Sequence, residues 1–302
     1  MRSSPTCRSL AIGLLLASVG ACSGAAPAPS PQPSPAATDT TLVADVKMAD
    51  GRSLHIVCLG PPTSGRPTVV LEHGLGGEYG DWEAVLTGLS RANRVCAYDR
   101  SGRSRLSSLP TGARTTADQV EDLHALLVGA AVKPPYVLVG FSIGGWNNLV
   151  FAAKYPSEVS GAVFVDIRPP KASREWLAAL PPETATESQA LHDNRFDLTV
   201  FEHDPDRNVE KLDLVTSADQ AIAAPGFGAK PLVILVRADA SDLWEGLDAA
   251  LAARLDAIAD QLTTSLAAYS ASSKIVTVSD TSHEILEDQP QAVIDAILEV
   301  LG

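Results

Sequence analysis

Gly140-Phe141-Ser142-Ile143-Gly144-Gly145 follows the apolar run Tyr136-Val137-Leu138-Val139 and leads into an amphipathic stretch ending near Tyr155. A short continuous apolar run followed by helical periodicity predicts strand, tight turn, helix. The spelling G-x-S-x-G occurs by chance, so the strand before it and the helix after it carry the weight. Small residues let the chain turn sharply there and leave the Ser142 hydroxyl exposed at the C-terminal edge of a sheet. The Ile143 N–H, at the start of the helix, then points toward developing negative charge.

The same alternation extends in both directions from this turn. Thr41–Lys47 and Ser53–Leu59 predict two strands joined around Asp50-Gly51, a pair that favours a hairpin turn. Thr68–His73 predicts a buried strand, followed by the loop His73-Gly74-Leu75-Gly76-Gly77; a short helix over Trp82–Leu89 leads to a strand ending at Tyr98. Thr116-Ala117-Asp118-Gln119 has the form of a capping box opening a helix to about Ala130. Gly161–Asp166 and Pro231–Val236 predict strands, Ser241–Ala271 a long helical stretch, Lys274–Val278 a last strand and Pro290–Leu301 a last helix. Continuous apolar strands separated by helices predict an α/β fold, a mostly parallel sheet covered on both faces.

The chain has 302 residues and a formal net charge of -13. That acidity argues against a nucleic-acid partner, which needs clustered Lys and Arg. Part of the length reads as an address. Residues 1–21 combine Arg2 and Arg8 with the apolar run Leu10–Val19, too short at about 1.5 Å per residue for a bilayer core of about 30 Å. This is the pattern of a cleaved export signal. Val19-Gly20-Ala21-Cys22 resembles a bacterial lipobox, which implies that Cys22 is lipidated and anchors the protein to a membrane at the cell envelope. From Cys22 to Thr41, five prolines alternate with small residues, a composition that forms a tether rather than a core. Fully extended, its last nineteen residues reach roughly 60 Å at about 3.1 Å each. Without residues 1–21 the chain loses two Arg and no acid, leaving a charge of -15.

Residues 42–302 resemble the α/β-hydrolase superfamily. Besides the Ser142 elbow, the matching features are His73-Gly74 with Trp82 nine residues after the His, Tyr98-Asp99-Arg100-Ser101-Gly102-Arg103-Ser104, and Ser282-His283 ahead of Asp288-Gln289-Pro290, all in the family's order. The resemblance implies one domain with a small helical cap inserted at about residues 168–230. It implies Ser142 as nucleophile, His283 as general base, and the backbone N–H groups of Leu75 and Ile143 as oxyanion donors. His73, Asp99 and Arg100 are expected to shape the loops around the site. The two strands holding Cys58 and Cys96 become neighbours in this fold, so a disulfide is permitted in an oxidising compartment; two buried free thiols are the other reading.

The orienting acid stays open at this level. Most members place it after the strand ending at Val236, where Asp239 and Asp242 compete, but the usual preceding Gly is missing. A minority, haloalkane dehalogenases among them, place it one strand earlier, and Val165-Asp166-Ile167-Arg168-Pro169 resembles that arrangement, favouring Asp166. In the cap, Trp176, Leu177 and Leu180 form an apolar stripe, expected to pack the cap. Glu175, Asp193, Glu202, Asp204 and Asp206 make the insert acidic, expected as solvated surface. No pair of His has metal-ligand spacing, and neither metal nor organic cofactor is implied. The reading is a serine hydrolase acting on a small carboxylic ester. The alternatives are a peptidase or amidase of proline-iminopeptidase type and a non-catalytic ligand-binding lipoprotein. The sequence leaves the oligomeric state undetermined.

Overall fold

The structure, a computed structural model, describes residues 40–302 apart from Ser64 and Arg103. The export signal, Cys22 and nearly all of the Pro-rich segment therefore lie outside the described residues. In chain order the elements are β1 (Leu42–Lys47), β2 (Ser53–Leu59), β3 (Thr68–Glu72), α1 (Glu83–Leu89), β4 (Val95–Tyr98), α2 (Thr116–Gly129), β5 (Tyr136–Phe141), α3 (Gly144–Lys154) and β6 (Val159–Val165). They continue with α4 (Ala172–Ala179), α5 (Gln189–Phe196), α6 (Leu214–Ala223), β7 (Gly228–Arg237), α7 (Ala249–Ser265), β8 (Ser270–Val278), α8 (Ile285–Asp288) and α9 (Pro290–Leu301).

The eight strands form one sheet in the order β1-β2-β4-β3-β5-β6-β7-β8. The β1–β2 and β2–β4 pairings are antiparallel and the rest parallel. This is the α/β-hydrolase fold that the resemblance implies, on the mostly parallel sheet expected from the alternation of strands and helices. Every residue of β3, β4 and β5 is buried, which is why those strands read as unbroken apolar runs. The edge strand β1 alternates half-buried and exposed residues, as a strand with one wet face must. On one side of the sheet, α2, α3 and α6 contribute Leu123, Leu126, Leu149, Phe151 and Ala221 to a core with Ile56, Leu138 and Phe164. On the other, α1 and α9 contribute Leu86, Val293 and Ile297 against Val69, Val137 and Val163. Each of these Leu, Ile, Val and Phe side chains contributes about 1.5–3 kcal/mol by leaving water.

Three expectations shift. The capping box sits one residue earlier, with Thr115 as cap and its side chain and that of Asp118 exchanging bonds with each other's backbone N–H. Thr115 is extended and so stands at the cap position, while Thr116 is already in the helix, buried, with its N–H donating to Ser217 Oγ at 2.9 Å. The long helix after Ser241 is three pieces: a 3-10 turn at Ser241–Trp244, α7, and another 3-10 turn at Leu266–Tyr269. The last strand starts at Ser270 rather than Lys274, because β8 pairs with β7 along its whole length.

The cap has its own small core. Ala172, Trp176, Ala179 and Leu198 from the insert pack with Trp244, Leu255 and Leu262 from beyond β7. Trp176 and Trp244 meet edge to face at 5.1 Å. The cap therefore has two halves, one on each side of β7 in sequence. The third insert helix, α6, instead packs on the main domain beside α2 and α3.

Candidate active site

Ser142 sits between β5 and α3 at a φ of 52°, in the left-handed region that a non-glycine residue enters only when its surroundings force it. Those surroundings are three glycines with no room to spare. A Cβ on Gly140 would meet the Gly145 nitrogen at 2.7 Å; on Gly144, the Glu72 and His73 carbonyl oxygens at 2.7 Å; on Gly145, Ile167 at 2.5 Å. Backbone crowds Gly140 and Gly144, and the branched Ile167 side chain crowds Gly145, so the turn can be this sharp only with these residues. The Ser142 N–H donates to the Val165 carbonyl at 3.2 Å, tying the elbow to the end of β6.

The next residue along β6 is Asp166, also in the left-handed region, at a φ of 40°. Its N–H donates to the Leu235 carbonyl at 2.9 Å, holding it between β5 and β7. Asp166 Oδ2 lies 2.6 Å from His283 Nδ1. Asp166 Oδ1 accepts from the Arg237 backbone N–H at 3.2 Å, and Arg237 Nε stands 3.4 Å from Oδ2. With this carboxylate on Nδ1, the neutral tautomer that donates from Nδ1 leaves Nε2 as the acceptor nitrogen. His283 follows β8 in a turn fastened by Asp288, whose Oδ2 accepts from the Ser282 N–H at 2.8 Å and the Ser282 hydroxyl at 2.7 Å. The Phe141 ring packs 4.7 Å from the imidazole. Ser142, Asp166 and His283 line one cavity of about 370 Å³, together with Arg168 and Trp176.

The other acids go elsewhere. Asp239 is exposed and accepts from the Ser241 N–H at 2.9 Å, a bond that lowers its pKa and closes a local turn. Asp242 pairs with Arg237 at 3.0 Å. Neither bonds the imidazole, although Asp242 lines the same cavity; the nitrogen that an acid would take is occupied by Asp166. Of the insert acids, Asp204 and Asp206 pair with Arg207 and Lys211 at the surface. Glu202 does not follow the expected solvated surface: it is buried and paired with Arg168 at 2.5 Å.

The His73–Gly77 loop lies against Ser142: a Cβ on Gly74 would come within 3.3 Å of the Ser142 Cβ. Beneath the loop lies a buried charge cluster. Arg100 bonds Glu72 through Nη1 and Glu210 through Nε and Nη2, the latter two at 2.7 and 2.8 Å. It also reaches the His73 and Gly74 carbonyls. Burial drives the Glu72 pKa up; the Glu210 carboxyl, though equally buried, is brought below its ordinary value by Arg100. Arg100 in turn stays charged, the two carboxylates outweighing its own burial. Burial, with Arg100 adding to it, pushes His73 down to about 3, so its imidazole is neutral. The matching bonds are Nδ1 to the Gly74 carbonyl at 2.8 Å and the Arg100 N–H to Nε2 at 3.3 Å. Sequence reasoning missed Glu210; the only signal was an acid among many in a polar insert.

Cys58 and Cys96, opposite one another on β2 and β4, are joined by a disulfide. Among the described residues no group of three or more His, Cys, Asp or Glu side chains is placed to hold a metal ion, and no helix is long and apolar enough to cross a membrane.

Over 106 residues the chain is 36% identical to a Cronobacter turicensis protein named "Putative carbamate hydrolase RutD", a match covering 35% of this chain and 39% of that protein. The chain thus spans about two fifths of the length of the curated relatives it matches. A thermophilic esterase from Thermogutta terrifontis superimposes with a TM-score of 0.57 at 20% identity, over 87% of this chain and 100% of the other. A hydrolase from Pseudomonas aeruginosa does so with a TM-score of 0.56 at 22% identity, over 86% and 98%. At these identities the structural likeness speaks for the fold. The profile described as "Alpha/beta hydrolase family" matches residues 69–296, about three quarters of the chain. With that span and the sheet order above, the chain belongs to the alpha/beta hydrolase family.

Proposed function

We propose that this hydrolase cleaves carboxylic esters by a serine mechanism with an acyl-enzyme intermediate. The observation that carries the reading is the 2.6 Å contact of Asp166 with His283, on the same cavity as a Ser142 held in the left-handed conformation. His283 Nε2 takes the Ser142 proton as Oγ attacks the ester carbonyl, and Asp166 stabilises the imidazolium. The tetrahedral oxyanion is met by the N–H groups of Leu75 and Ile143. Collapse of the intermediate expels the alcohol, which receives the proton from His283. Water, deprotonated by the same imidazole, then releases the acid. Carbamates are a second substrate class, favoured by the name of the Cronobacter relative, since they offer the same kind of carbonyl carbon. We place the enzyme in the cell envelope, lipidated at Cys22 and held on the Pro-rich tether; the lipobox-like Val19–Cys22 supports this.

The test is a panel of p-nitrophenyl esters, an aryl carbamate and aminoacyl anilides, each run with wild type and Ser142→Ala. Ester turnover that vanishes in Ser142→Ala is expected. Anilide turnover without ester turnover would make it a peptidase, and no Ser142-dependent turnover at all would favour a binding role. Palmitate labelling that disappears in Cys22→Ser is the expected result for the anchor; wild type released unlabelled into the medium would contradict it.

A further inference from the structure

A trans peptide is planar, with its C=O and N–H pointing in opposite directions. The Gly74 carbonyl and the Leu75 N–H belong to one such unit, so whatever fixes the carbonyl aims the N–H. Three donors converge on that carbonyl: Arg100 Nη2 at 2.5 Å, His73 Nδ1 at 2.8 Å and the Gly77 N–H at 3.3 Å. The next N–H in the loop, Gly76, is committed to Glu210 Oε1 at 2.7 Å. Among the described residues the Leu75 N–H donates to no protein acceptor.

Arg100 is itself held. Glu72 at the end of β3 takes Nη1, and Glu210, which reaches in from the cap insert across 110 residues of chain, takes Nε and Nη2. Glu210 is 1% exposed and also accepts from Gln119 at 2.7 Å, and Gln119 accepts from Asn147 of α3 at 3.0 Å. A Cβ on Gly102 would meet Glu210 Cγ at 2.9 Å, so the backbone after Arg100 packs directly on this side chain. One buried guanidinium thus joins the strand before the loop, the loop itself and the insert after β6.

We propose that Arg100, clamped by Glu72 and Glu210, is a positioning residue for the oxyanion hole: its bond to the Gly74 carbonyl orients the Leu75 N–H and strengthens it as a donor. This rests on the serine-hydrolase reading above. A cation on a carbonyl polarises the whole peptide unit, so the amide on its far side binds negative charge more tightly. The gain falls on the transition state, where the oxyanion exists, and hardly on substrate binding. Glu210 is itself held by the main domain: the Arg114 N–H donates to the Lys211 carbonyl and the Asp213 N–H to the Arg114 carbonyl, both at 2.8 Å.

The experiment uses Arg100→Lys, which keeps the charge but loses the fork, and Glu210→Gln, which keeps an acceptor for Gly76 but releases Arg100. Active sites are titrated so that only folded enzyme is counted. In each variant kcat for p-nitrophenyl acetate should fall by about 10- to 100-fold, a part of the 10²–10³ cost of losing one oxyanion donor, with KM within about twofold. The inhibition constant of a trifluoromethyl ketone, whose adduct places an oxyanion in the hole, should rise by the same factor as kcat/KM falls. Unchanged kcat and unchanged ketone affinity per titrated site, with only a lowered melting temperature, would overturn the proposal and leave Arg100 a structural ion pair. Wild type lacking Ser142-dependent hydrolysis would instead contradict the underlying hydrolase reading.

Discussion

His283 Nδ1 stands 2.6 Å from Asp166 Oδ2 across 117 residues of chain, with Arg237 bracing the other side of the carboxylate. The carboxylate that meets the imidazole thus comes from the end of β6, one strand earlier than the Asp239 segment. Asp166→Asn keeps the shape but removes the charge that holds the imidazole in its working tautomer. Its kcat for p-nitrophenyl acetate should fall about 10⁴-fold. Asp239→Asn, which touches only an exposed turn, should stay within about twofold of wild type. Steady-state kinetics on the two variants checks this; equal losses would reassign the acid.

The elbow depends on Gly144 for steric reasons. Its missing Cβ is the space taken by the Glu72 and His73 carbonyl oxygens, 2.7 Å from where that atom would be. Both contacts are backbone, so neither neighbour can rotate aside. Gly144→Ala should lose about 1–3 kcal/mol of stability, as overpacked sites do. Because the displaced strand carries the His73–Gly77 loop, kcat should fall as well. Urea unfolding and kinetics on the same sample test this, and a stable, fully active Gly144→Ala would refute it.

The neutral burial of His73 has a pH signature. The unfolded chain takes up a proton near 6.5, whereas the folded protein does so only at about 3. Its contribution is complete above pH 6.5 and is lost as pH falls toward 3, by about 1.4 kcal/mol per pH unit. Glu72, raised by burial, has the opposite sign: its contribution is greatest in acid and declines as pH rises through its folded value. Glu72 is common to both proteins compared, so its effect cancels in the difference. His73→Asn should therefore lose less stability than wild type between pH 6.5 and 4, measured as urea midpoints. Parallel curves would contradict the assignment.

The Cys58–Cys96 disulfide closes a span of 38 residues. In the chain-entropy account such a loop is worth about 4 kcal/mol, taken from the freedom of the unfolded chain. Reduction should lower the denaturant midpoint accordingly, and the intact mass should rise by two hydrogens. An unchanged mass after reduction of the unfolded protein would mean free thiols.

The elbow was legible because its chemistry is local: Gly140, Gly144 and Gly145 answer to neighbours that the strand-turn-helix pattern itself supplies. His283 was legible because it follows the last strand in a polar turn. The acid was not decided, since Asp166 and Asp239 both end apolar strands and only the path of the chain after β7 separates them. Glu210 was invisible for a similar reason. Its partners Arg100, Gln119 and Gly76 lie 91 to 134 residues away, and nothing in the acidic insert distinguishes a buried acid from a solvated one. The division of the long helical stretch also came from tertiary contacts, as pairing with β7 draws Ser270–Ser273 into a strand.

The most direct measurement is fluorophosphonate labelling followed by intact mass and peptide mapping. The account predicts one phosphonyl adduct per chain, located on Ser142, absent in Ser142→Ala and strongly slowed in Asp166→Asn. An adduct on another residue, or none in active protein, would contradict it.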